Sequence, residues 1–212
     1  MKRMTTNRAR FTLALAVAAG VFALGVPRPA AAAPTQTAIF AGGCFWGMQA
    51  VFGALHGVKS TMPGYSGGNA DTAHYEQVST GTTGHAESVE VKFDPAVISY
   101  QQLLDVYFRV AHDPTELDRQ GPDEGTQYRS AIFPLNNEQR LAAVAEIKTL
   151  TDEHVFAAPI VTKLEAFHGF FPAEEYHWNY AALHPNDPYI VINDLPKLVA
   201  LRKTYPQLVA QR

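Results

Sequence analysis

The six residues Ser88–Phe93, SVEVKF, alternate strictly between polar and apolar side chains. That period belongs to a β-strand, whose successive side chains point to opposite faces. Val89, Val91 and Phe93 therefore share one face, and Ser88, Glu90 and Lys92 the other. An apolar strand face has to be covered, so this segment calls for a sheet with a layer packed on it. The same parity puts Glu87 on the apolar side. Burial there would disfavour its charged form and raise its pKa, and a carboxyl that is neutral at working pH can give up a proton. The alternative is a strand-end glutamate that turns back to solvent.

The flanking segments supply the rest of the order. Thr37–Gly43 reads as a short strand that ends in glycines. Phe45, Met48, Val51, Phe52 and Leu55 fall at helical spacing, with Gly57 as the expected stop. Val58–Tyr65 reads as the next strand, followed by a Gly/Asn/Asp/Thr-rich loop. After the alternating strand, Asp94-Pro95 closes it. Ser99 and Gln102 have capping-box spacing and open a helix through Leu103, Leu104, Tyr107, Phe108 and Val110. Gln127–Phe133 looks like another alternating strand. Asn136 and Gln139 start a helix to about Leu150, Ala158–Phe167 reads as a further strand, and the remainder as loops with short helices. Strand, helix, strand, strand, helix, strand is the split βαβ order of the ferredoxin-like α+β sandwich. A single domain is expected.

Cys44 is the only cysteine of the chain. It falls between the first strand and the first helix, where unpaired backbone N–H groups and the positive end of the helix dipole favour a thiolate. Gly42 and Gly43 permit a sharp turn and leave the backbone open to a substrate, so the expectation is an exposed nucleophile. Phe45 and Trp46 beside it suit either core packing or the walls of a small apolar pocket.

The first 32 residues resemble a secretory signal. Lys2, Arg3, Arg8 and Arg10 precede an apolar run from Phe11 to Val26, then prolines, then Ala30–Ala33. Cleavage after Ala32 is expected, with residues 33–212 as the exported, periplasmic domain. Cleavage there removes five of the 17 basic residues and none of the 20 acids, which takes the formal charge from −3 to −8. Such a balance argues against nucleic acid and against anionic membrane surfaces as partners. Export usually brings disulfides, and one cysteine cannot form one internally. It is either a buried small hydrophobe or a reactive thiol.

GGCFWGMQAVF, GYSGG, GHAESVEVKFDP, DEGTQYRSAIF and FFPAEEYHWNY, in that order from Phe40 to about Tyr180, resemble the peptide methionine sulfoxide reductase A family. The resemblance implies the same α+β fold and reduction of the S epimer of methionine sulfoxide, free or in oxidised proteins. It implies that Cys44 attacks the sulfoxide sulfur and that Glu87 protonates the oxygen. Tyr75 and Tyr128 would hold that oxygen through their hydroxyls, Phe45 and Trp46 would seat the S-methyl group, and Asp123 would meet the substrate main-chain N–H. Cys44 would be left as a sulfenic acid.

The chain departs from the pattern in its tail. Many relatives carry one or two further cysteines near the C-terminus, which trap the sulfenic acid; here LRKTYPQLVAQR has none, and Ser79 stands where some relatives have another. Recycling is therefore expected from an external thiol, a thioredoxin-like or glutaredoxin-like protein or dithiothreitol, with no bound cofactor. A monomer with no stable membrane partner is expected. Two rival readings are weak. A cysteine hydrolase needs an oriented histidine base, and neither His85 nor His177 stands in such a context. A metal module needs ligand spacing such as H-E-x-x-H or C-x-x-C, and the sequence has neither.

Overall fold

The computed structural model describes Met1 and residues 34–211. The signal-like segment otherwise lies outside the described residues. In chain order the regular elements are β1 (Gln36–Ala41), α1 (Phe45–Gly53), β2 (Val58–Ser66), α2 (Tyr75–Val78), β3 (Ala86–Phe93), α3 (Tyr100–Val106), β4 (Arg119–Gln120), β5 (Asp123–Glu124), β6 (Ala131–Ile132), α4 (Asn137–Asp152), β7 (Lys163–Leu164), β8 (Phe170–Pro172), α5 (Tyr180–Leu183) and α6 (Leu195–Thr204).

Six strands form one sheet in the order β7-β6-β1-β3-β2-β8. Its inner four, β6-β1-β3-β2, are mutually antiparallel. This is the split βαβ arrangement expected from the sequence, a single α+β sandwich. β7 adds to one edge in parallel and β8 to the other in antiparallel. The alternating strand occupies the interior of the sheet, between β1 and β2. Val89, Val91 and Phe93 are fully buried, as their period requires. On the opposite face Lys92 is exposed, Glu90 half-buried and Ser88 buried, because Phe133 and Phe170 cover that end.

Both principal helices pack on the same face of β1. Phe40 stacks on Phe52 of α1 and on Tyr107 beyond α3, with ring centroids 5.1 Å apart in each case. Ser99 and Gln102 form the full capping box, and the helix it opens widens into a π turn over Tyr107–Ala111. The Tyr107 hydroxyl donates to the Ala41 carbonyl at 2.8 Å and lies 3.0 Å from Ser130 Oγ, which pins the end of β1 just before Cys44.

Four sequence expectations change. The first helix stops at Gly53 rather than Gly57, because the next backbone groups bond to the C-terminal segment: the Ala210 N–H donates to the Ala54 carbonyl at 2.9 Å and the His56 N–H to the Leu208 carbonyl at 2.7 Å. Gly57, at φ +93°, instead turns the chain into β2. The strand expected over Gln127–Phe133 shrinks to Ala131–Ile132, since Thr126–Tyr128 curls into a 3-10 turn. That expected over Ala158–Phe167 shrinks to Lys163–Leu164. The tail also holds a strand, β8, and a ten-residue helix, α6, that no clear period announced.

Candidate active site

Cys44 is the N-cap residue of α1, at φ −55° and ψ 126°. The two glycines before it are needed for packing as much as for turning. A Cβ on Gly42 would lie 2.7 Å from the His112 ring, and one on Gly43, at φ +86°, 2.5 Å from the Gln120 side chain. The room they leave is filled by protein, not held open for a substrate. The thiol is also less exposed than expected, at 8%. Burial, followed by the carboxyls of Glu87 and Asp194, pushes it well above its ordinary pKa, against a smaller opposite pull from the Trp46 backbone N–H. The helix start therefore does not by itself produce a resting thiolate: desolvation outweighs it.

Glu87 lies where its parity placed it, 2% exposed at the start of β3. Its Oε2 accepts the Phe45 backbone N–H at 3.1 Å, so the carboxyl is tied to the residue beside Cys44. Burial raises its pKa to about 8, despite that hydrogen bond, so the acid form prevails at neutral pH.

Tyr75 begins α2 and Tyr128 ends the 3-10 turn after β5. The Tyr128 carbonyl accepts the Gly43 N–H at 3.2 Å, which links this turn to the cysteine loop. Burial first, and then the charge of Glu87, raises the pKa of both phenols. Neither hydroxyl has a hydrogen-bond partner among the described residues, and both phenols lie near enough to Glu87 and Cys44 to feel their charge.

Phe45 is buried against Tyr65 and His177, with centroids at 5.9 and 4.9 Å. Trp46 is half-buried, stacked on Tyr180 at 3.8 Å and edge-on to Tyr189 at 5.8 Å. Asp123 accepts the Tyr189 hydroxyl, and burial raises its pKa. All seven sequence-derived residues thus belong to one constellation around the start of α1.

The sequence model of the peptide methionine sulfoxide reductase family matches residues 36–208. The chain belongs to that family. It is 52% identical over 182 residues to peptide methionine sulfoxide reductase MsrA 2 of Mesorhizobium japonicum, covering 86% of this chain and 93% of that protein. It is 48% identical over 176 residues to the MsrA of Thermus thermophilus, covering 83% and 98%. Among solved structures, reduced Mxr1 from Saccharomyces cerevisiae superposes with a TM-score of 0.67 at 31% identity, covering 72% of this chain and 87% of that one. Methionine sulfoxide reductase A of Corynebacterium diphtheriae gives 0.62 at 31% identity, covering 71% and 76%.

The reductase fold adds residues that strand and helix periods did not single out. Tyr65 stands opposite Glu87 in the β2–β3 register, and its hydroxyl donates to Glu174 Oε2 at 2.8 Å. Glu174 Oε1 accepts the Tyr75 N–H at 3.0 Å, so one carboxylate holds both tyrosines. These donors keep Glu174 below its usual pKa although burial works the other way. His177 accepts the Trp46 indole N–H on Nδ1 at 3.2 Å, which leaves the proton of a neutral ring on Nε2. It lies between Phe45 and Tyr75 and orients the tryptophan; it makes no hydrogen bond to Cys44, as a hydrolase base would. Glu174 and His177 stand in the quoted FFPAEEYHWNY, so a signal for them existed. Tyr189 and Asp194 had none.

Proposed function

We propose that the protein reduces the S epimer of methionine sulfoxide, free and in oxidised proteins, with Cys44 as nucleophile and Glu87 as acid. One observation carries this reading: a buried carboxyl, protonated at neutral pH, is bonded to the residue next to the only thiol and flanked by two phenolic donors without partners among the described residues. Sulfoxide oxygen is a poor leaving group, so attack at sulfur needs charge on that oxygen neutralised. Glu87 supplies the proton, and Tyr75 and Tyr128 supply donors aimed where charge develops. Phe45 and Trp46 wall the place of the S-methyl group, and Asp123 faces the substrate main-chain N–H. As the sulfoxide S–O bond breaks, the oxygen ends on Cys44 as S–OH. Two electrons pass from the cysteine sulfur to the substrate sulfur. The Glu87 carboxylate takes up the proton that Cys44 gives up, and methionine leaves.

Cys44 cannot form an internal disulfide. An external thiolate attacks the sulfenic acid with loss of water, and a second thiol resolves the mixed disulfide. A thioredoxin-like or glutaredoxin-like protein fits this role, and dithiothreitol replaces it in vitro. Residues 1–32 make the proposed setting an exported one, with residues 33–212 as the working enzyme. A charge of −8 on that domain suits a reductant with a basic or apolar docking face.

The test is stoichiometry. Without reductant, one methionine should form per chain from the S epimer, and dimedone should then label Cys44. Two methionines per chain, equal turnover of the R epimer, or a Cys44 that resists labelling would each refute the proposal.

A further inference from the structure

The C-terminal segment brings an acid and a cation to the first turn of the catalytic helix. Asp194 is 1% exposed and its Oδ1 accepts from Lys197 Nζ at 3.2 Å. It occupies the N-cap of α6 but makes no capping hydrogen bond there, and its buried Oδ2 has no partner among the described residues. The pair instead lies on Gly47, the third residue of α1: a Cβ there would be 2.1 Å from Asp194 Oδ1 and 2.9 Å from Lys197 Nζ. Cys44, the N-cap residue of α1, makes no side-chain capping hydrogen bond, but the Trp46 backbone N–H favours its thiolate. Asp194 and the Cys44 thiol therefore share one helix turn and compete for its positive end.

We propose that the Asp194–Lys197 ion pair is a positioning element that sets the reactivity of Cys44: the carboxylate opposes the thiolate, and Lys197 limits that opposition. This rests on Cys44 being the nucleophile but not on which substrate it attacks. The other groups that face the thiol are Glu87 from β3, Asp123 from β5, Tyr75 from α2, Tyr128 from the 3-10 turn and Tyr189 from the tail. Asp194 itself also faces Asp123, and the field of Lys197 reaches both Asp123 and His112. Neutralising Asp194 leaves Lys197 unopposed beside a ring of acids and phenols.

Because the chain has one cysteine, the pH profile of iodoacetamide alkylation reads Cys44 alone, independently of sulfoxide turnover. Asp194→Asn should move the inflection down by about one pH unit and speed alkylation at pH 7 about tenfold. Adding Lys197→Met should return the rate to within about threefold of wild type, since the two opposed charges are then removed together. Should the asparagine variant fail to fold, Asp194→Ser removes the same charge with a side chain suited to capping α6, and the same downward shift is expected. A faster reaction with an unmoved inflection would mean simple loosening and overturn the proposal. So would a gain that survives in the double variant. If the inflections behave as stated while sulfoxide turnover is absent, the ion pair is as proposed and the reductase reading is what fails.

Discussion

The sheet frame of residues 36–152 and the tail of residues 153–211 build one site by different means. The frame supplies Cys44, Glu87, Phe45, Trp46 and Tyr128 from strand ends, a helix start and a tight turn, each held by backbone hydrogen bonds within regular structure. The tail's contributions, Glu174, His177, Tyr189 and Asp194, act through side chains that meet the frame, the first three by hydrogen bonds and Asp194 by lying against Gly47. On the proposed reading, groups in the frame react, and those in the tail hold the reacting groups and set their charge.

Substitutions can break that division. Cys44→Ser should abolish methionine formation; appreciable turnover would remove the nucleophile from the frame altogether. Glu87→Gln should slow single-turnover reduction by about 10²-fold or more, the range of general acid catalysis, and should remove a fall in rate above about pH 8 that the wild-type carboxyl imposes. An unchanged pH profile would place the acid elsewhere. In the tail, Glu174→Gln weakens charge-assisted bonds to Tyr65 and to the Tyr75 backbone. A loss of about tenfold in kcat/KM, equivalent to about 1.4 kcal/mol, is expected. A loss as large as that of Glu87→Gln would erase the distinction between the two regions. His177→Leu keeps the apolar contacts but frees the Trp46 indole. KM should rise about threefold with kcat nearly unchanged, as for lost ground-state positioning.

A separate expectation concerns stability rather than rate. The folded pKa of Glu87, about 8, lies above the unfolded value of about 4.3. Between those values the folded chain holds a proton that the unfolded chain has released, so wild-type stability should decline as pH rises through that window. Glu87→Gln should lack this decline and melt higher than wild type near pH 9. Parallel melting curves for the two proteins from pH 5 to pH 9 would show that the carboxyl is not buried in its acid form.

The two regions also differed in how far they could be read in advance. Period two located β3 and the face of Glu87, and the spacing of Ser99 with Gln102 and of Asn136 with Gln139 located two helix starts, because these signals arise within a few residues of chain. Gln127–Phe133, which reads as another strand, is mostly not strand. Arg129 turns inward there to bond Glu165 and the carbonyls of Gly84, His85 and Thr126, and these five hydrogen bonds outweigh a local pattern.

The sequence alone determined the strand–helix order of the frame, the lone thiol at a helix start and the inward carboxyl, since backbone period and capping act locally. The tertiary structure decided that burial raises the Cys44 thiol, and it brought Tyr189 and Asp194 near that thiol with Lys197 against Gly47 of the same turn. Desolvation depends on everything packed around a group, and residues some 150 positions away are brought to the first turn of α1 only when the tail closes over the sheet.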